Sequence, residues 1–68
     1  MVFWFVSHGP DASHLINVDR FGRLRDAKRF AEELPEAPTG GARPYKIERA
    51  EYTESNVHGD DVLITEVK

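Results

Sequence analysis

The pattern of apolar and polar residues along the chain predicts four β-strands and one helix. Four stretches are rich in the β-branched and aromatic residues that favour strands. They cover residues 2–8, 13–19, 44–52 and 61–67. Between the first two stretches, Gly9-Pro10-Asp11-Ala12 has the composition of a tight turn, because Pro fixes φ and Asp bonds to its own backbone. These two strands are therefore expected to form a hairpin.

The helix is predicted over residues 23–34, between the second and third strands. Its apolar residues recur at the spacing of one helical face. They are Leu24, Ala27, Phe30, Ala31 and Leu34. Asp19 and Gly22 are both suitable N-caps, and Pro35 ends the helix. Helical spacing therefore gives the chain a single amphipathic helix.

The order strand, strand, helix, strand, strand predicts an α+β fold, with one small domain covering residues 1–68. The simplest arrangement is a four-stranded, mostly antiparallel sheet with the helix packed on one face. If the second and third strands are parallel neighbours, their crossover is right-handed. In the third strand, Ala50 and Tyr52 are out of phase with Tyr45 and Ile47, which predicts a bulge near Arg49. Residues 53–60 are polar and are expected to form a hairpin loop.

The first strand is apolar on both sides, although a lone helix covers only one face of a sheet. A loop of residues 9–12 pairs Val6 with Leu15 and Trp4 with Asn17. One face then holds Phe3, Phe5, Ile16 and Val18, and this face is the predicted core. The other face holds Val2, Trp4, Val6 and Leu15, with Val62 and Ile64 as candidates to extend it. This second face is predicted to be uncovered.

Tryptophan is enriched at binding hot spots, and large uncovered apolar patches usually mark interaction sites. The predicted partner-binding residues are therefore Val2, Trp4, Val6 and Leu15. The expected function is that of a small non-enzymatic regulatory module that binds another protein. A homodimer formed sheet to sheet would satisfy the same residues.

The amino-acid composition bears on the cellular compartment of the protein and on the kinds of site that it can form. The 68 residues carry a net charge of −3 and no cysteine, so disulfides and thiolate metal sites are excluded. No targeting segment is visible, and no stretch approaches the roughly 20 apolar residues of a membrane span. The chain is therefore expected to be cytoplasmic, with no membrane partner.

A basic cluster provides the alternative function. Residues 1–30 hold five Lys or Arg against three Asp, whereas residues 31–68 hold four against nine acidic residues. The five cations are Arg20, Arg23, Arg25, Lys28 and Arg29. Cations on one element can neutralise phosphates, so nucleic-acid binding is the alternative. The acidic balance of the whole chain and helical ion pairs to Asp26 and Glu33 weigh against it.

No residue pattern supports catalysis or a cofactor. His8, His14 and His58 do not have a metal-ligand spacing, even with Asp60 or Asp61 nearby. Ser7 and His14 are predicted to face each other across the hairpin, with Asp11 in the turn, which has the outline of a catalytic triad. No oxyanion-hole signature accompanies them, and the chain is short for a substrate pocket. The expectation is therefore no catalytic residue, no metal and no cofactor.

Overall fold

The computed structural model describes residues 1–52 and 62–68, and it shows one antiparallel sheet with one helix. The elements are β1 (Val2–His8), β2 (Asn17–Phe21), α1 (Leu24–Glu32), β3 (Tyr45–Glu51) and β4 (Leu63–Val67). The predicted α+β class and the β-β-α-β-β order are confirmed. The loop predicted over residues 53–60 lies outside the described residues.

The strands are arranged in the order β2-β1-β3-β4, and every neighbouring pair is antiparallel. β2 and β3 both pair with β1, so they run parallel to each other without being neighbours. The pairing of β1 with β3 continues beyond the strand ends. Met1 donates to the carbonyl of Tyr52 over 2.8 Å and accepts the Tyr52 N–H over 2.7 Å. β1 is therefore the central strand on which both halves of the sheet are built.

β2 begins four residues later than the sequence predicts, because residues 9–16 form a folded loop. The Asp11 carboxylate accepts the Ser13 N–H over 2.9 Å, and the Asp11 carbonyl accepts the His14 N–H over 3.1 Å. Trp4 consequently pairs with Phe21, so the predicted pairing with Asn17 is wrong. The shift is an even number of residues, which leaves each side chain on its predicted side of the sheet.

β3 is continuous, and the bulge predicted near Arg49 is wrong. Its register with β1 runs without interruption from Val2↔Glu51 to His8↔Tyr45. Ile47 therefore lies on one face of the sheet and Ala50 on the other. The change of phase in the sequence reflects a strand with apolar residues on both faces.

The helix packs on the face that carries Trp4 and Val6. Its two alanines, Ala27 and Ala31, are buried against Val6 and Ile47, and Val6 is 0% exposed. The partly buried side chains around this core are Trp4, Phe21, Leu24, Phe30 and Val67. Small helix residues at the contact let the helix approach the sheet closely. Arg23 caps the helix in an extended conformation without a side-chain bond, so neither Asp19 nor Gly22 is the N-cap.

The two faces should respond differently to the same substitution. Val6→Ala removes methyl groups from the sealed core and should lower the free energy of unfolding by about 2 kcal/mol. Val18→Ala, on the opposite face, should change it by less than about 0.5 kcal/mol. Urea unfolding of dilute protein measures both values. Equal costs for the two substitutions would contradict this assignment of the core.

Gly9 is required where the folded loop returns to the end of β1. A Cβ at this position would lie 1.6 Å from the backbone oxygen of His14, so the loop must move to accept any side chain. Gly9→Ala should therefore lower the unfolding free energy by more than about 1 kcal/mol. Gly22→Ala is the matched control, because a Cβ there has no atom within 4 Å. Comparable melting temperatures for the two variants would refute the close approach.

Candidate functional site

Alternation along the strands gives the sheet a covered face, which holds Trp4 and Val6 beneath the helix, and an opposite face. We call the opposite face the open face, because no helix or strand in the described part of the chain packs on it. Its residues come from all four strands, and the register of the strands aligns them in rows across the sheet. They are Phe3, Phe5, Ser7, Val18, Arg20, Lys46, Glu48, Ala50, Ile64 and Glu66.

Two of the large apolar side chains on the open face are exposed to solvent, and Phe3 and Phe5 are half-buried. Val18 is 59% exposed and Ile64 is 61% exposed, and they lie on the two edge strands. Ile16, just before β2, is 74% exposed. Between the edges is a groove of about 280 Å³. It is lined by Phe5, Ser7, Val18, Glu48, Ala50, Tyr52 and Ile64. The groove is thus mainly apolar, and exposed apolar side chains flank it on the two edge strands.

Aromatic contacts hold the Phe3 ring at one end of this surface. The guanidinium carbon of Arg20 lies 4.8 Å from the centroid of the Phe3 ring, which is the geometry of a cation–π contact. Tyr52 meets the same ring edge to face, with centroids 6.0 Å apart. Phe3 is therefore partly shielded, and Arg20 is positioned over the sheet.

One row of the open face is charged at both ends. The register aligns Arg20 of β2, Phe5 of β1, Glu48 of β3 and Glu66 of β4. Glu48 and Glu66 are directly opposite each other, an arrangement of like charges that destabilises a strand pair. The Lys46 Nζ lies 3.7 Å from Glu48 Oε1, and its positive charge partly offsets this repulsion. The row therefore has a positive end at β2 and a negative end at β4.

The sequence-predicted partner-binding residues are Val2, Trp4, Val6 and Leu15. Trp4 and Val6 contact the core beneath the helix, and Leu15 lies in the loop before β2. The premise that the Trp4 face is uncovered is wrong, since α1 packs on it. Ile64, a candidate to extend that face, lies on the open face opposite Ala50. The uncovered apolar surface is therefore the predicted core face.

The structure divides the predicted basic cluster. Arg20 lies on the open face, whereas Arg25 and Arg29 belong to the helix on the other side of the sheet. Arg25 Nε lies 3.8 Å from Asp26 Oδ1, and Arg29 Nε lies 3.5 Å from Glu33 Oε1. Arg20 is thus separated from the other four cations, which lie on the helix or at its N-cap, so the five do not share one surface and nucleic-acid binding stays a prediction.

The described histidines are separated from one another and from Ser7. His8 lies on the covered face, with its Nε2 3.3 Å from an Asp19 oxygen and its Nδ1 buried without a hydrogen-bond partner among the described residues. Ser7 pairs with Val18, so the predicted juxtaposition with His14 is wrong. Within residues 1–52 and 62–68, no cluster of three metal-ligating side chains occurs. His58, Asp60 and Asp61 lie outside these ranges.

Comparison with known proteins identifies no relative of this chain. No protein-family model matches the chain, and no curated protein or solved structure is significantly similar to it. Among the described residues, no helix has the length and apolar character needed to cross a bilayer. The open face is therefore interpreted from its own geometry and chemistry.

The folded loop contains Asp11, which among the described residues is the carboxylate with a shifted pKa. The hydrogen bond from His14, whose Nδ1 lies 2.7 Å from Oδ1, lowers the pKa of Asp11 below its usual value. The Ser13 N–H adds to this effect. Because the folded pKa is lowered, these contacts stabilise the loop above the ordinary Asp pKa and are lost as pH falls through the folded value.

Replacing the histidine should therefore raise the pKa of Asp11 towards its ordinary value. The return should be partial in His14→Ala, because the Ser13 N–H still favours the carboxylate. A side-chain NMR titration of Asp11 in the native protein and the variant measures the difference. An unchanged pKa would show that the His14 contact does not form in solution.

Proposed function

We propose that the protein is a small non-enzymatic module that binds another protein chain through its open face. The observation that carries this proposal is the exposure of Val18 and Ile64 on either side of Phe5 and the groove. Contiguous apolar surface of this kind is uncommon on monomers and usually marks an interaction site. Docking of a second apolar layer would remove it from water, as in sheets that pack face to face.

The chemistry of the open face favours a protein over other ligands. The groove of about 280 Å³ is at or below the lower end of the range for small-molecule sites, which are also more enclosed. The two anions of the open face, Glu48 and Glu66, balance its two cations, Arg20 and Lys46, so the face lacks the net positive charge that favours a phosphate backbone. A protein partner can contact the apolar centre and pair with charges of both signs at its rim.

The proposed setting of this module is the cytoplasm, where a cysteine-free chain needs no oxidising compartment. A regulatory role is the simplest activity for such a module. Binding through one face would mask a surface of the partner without any chemical step. This activity requires only that the open face is accessible and that its apolar side chains are held in place.

Site-directed photo-cross-linking in cells tests the proposal. A benzophenone amino acid at Val18 or Ile64 should form a covalent adduct with the partner. The same amino acid at Arg25, whose side chain is 78% exposed on the helix, should not. The adduct from Ile64 should disappear when Val18→Glu places a charge in the apolar centre of the face.

Two results would oppose the proposed function. One is the absence of any adduct from Val18 and Ile64 in cells that produce folded protein. The other is equal cross-linking from Arg25, because contact would then not depend on the open face. The matched substitution Arg25→Glu controls for the added charge and should leave the adduct from Ile64 intact.

A further inference from the structure

We infer that the occupant of the open face is a second copy of this chain, stacked face to face about a two-fold axis parallel to the strands. This inference rests on the proposed function, because it names the partner for the same surface. The argument comes from the charged row that ends in Arg20 at β2 and in Glu66 at β4.

The two ends of this row carry opposite charges, but they are too far apart to form an ion pair within one chain. Within residues 1–52 and 62–68, neither Arg20 nor Glu66 forms an ion pair. Three strand spacings separate them, which is about 14 Å. Arg20 instead lies over the Phe3 ring, and Glu66 faces the like charge of Glu48. An opposite charge supplied by another molecule would therefore stabilise each of these two side chains.

A two-fold axis parallel to the strands brings these ends together. With the axis between β1 and β3, β2 of one copy lies over β4 of the other, so each Arg20 meets the Glu66 of the other copy. The contact forms twice, as an isologous interface requires. An axis perpendicular to the strands through this row would instead place Arg20 on Arg20 and Glu66 on Glu66. Charge thus selects one of the two stackings.

Side-chain size along the adjacent row agrees with this choice. Phe3 of β1 and Ala50 of β3 are directly opposite within the sheet. The parallel axis places Phe3 of each copy over Ala50 of the other, which is 1% exposed and lines the groove, so a large side chain lies over a small one. The exposed Ile64 then lies over the end of β2 near Gly22, where no Cβ is present. Interdigitation of this kind is what two packed sheets need.

Charge reversal tests the arrangement in the purified full chain. Sedimentation equilibrium over the micromolar to millimolar range should show a monomer–dimer equilibrium. Arg20→Glu and Glu66→Arg should each raise the dimer dissociation constant by at least about tenfold, because each places like charges together twice. The double reversal should return the constant to within about threefold of the native value. Arg25→Glu should leave it unchanged.

Circular dichroism and thermal unfolding establish that each variant is folded. If a reversal prevents folding, Arg20→Gln and Glu66→Gln replace it, and each should still weaken the dimer. A native chain that stays monomeric overturns the inference, as does a dimer that neither single reversal weakens or that the double reversal fails to restore. Adducts from Val18 and Ile64 to a different protein, formed by a monomeric chain, would leave the proposed function standing and refute only self-association.

Discussion

The structure depends on the position of β1, which hydrogen-bonds to a neighbour on each side while carrying apolar side chains on both faces. Two of its even-numbered residues, Trp4 and Val6, pack beneath the helix. Its odd-numbered residues, Phe3 and Phe5, must then point away from the helix. A nine-residue helix has only one apolar stripe, and within residues 1–52 and 62–68 no second helix or strand covers the other face. The open face is a direct consequence of this shortage.

The elements and the grouping of residues into faces were predictable, because both depend on local periodicity. Phe3, Phe5 and Val18 share a face in the prediction and in the structure, even though β2 is displaced by four residues. The face covered by the helix was not predictable. The helix joins β2 to β3 across the intervening β1, so its side depends on strand order and on crossover handedness. Strand order depends on which strands pair over long range, and the periodicity within each strand carries no information on this pairing.

Two local differences between the prediction and the structure have separate physical causes. The predicted second strand begins too early because the turn composition of the sequence ends at Ala12. Ser13 and His14 are held in the loop by the Asp11 carboxylate and by the close approach at Gly9. The bulge predicted near Arg49 came from assuming that each strand has one apolar face. Ala50 contributes to the second face together with Phe3. That change of phase was therefore the sequence signal for the open face.

An exposed apolar sheet face carries a risk of non-specific association, and the charges on this one limit how it can be approached. Glu66 lies on β4 and Arg20 lies on β2, whereas Glu48 on β3 is partly neutralised by Lys46. A partner that places negative charge over β4 or positive charge over β2 meets repulsion in a poorly hydrated layer, which costs more than in water. In the proposed interface, burial would supply the attraction and the asymmetry of charge would restrict orientation. The like-charged pair Glu48 and Glu66 would then contribute to the choice of orientation, although it weakens the pairing of β3 with β4.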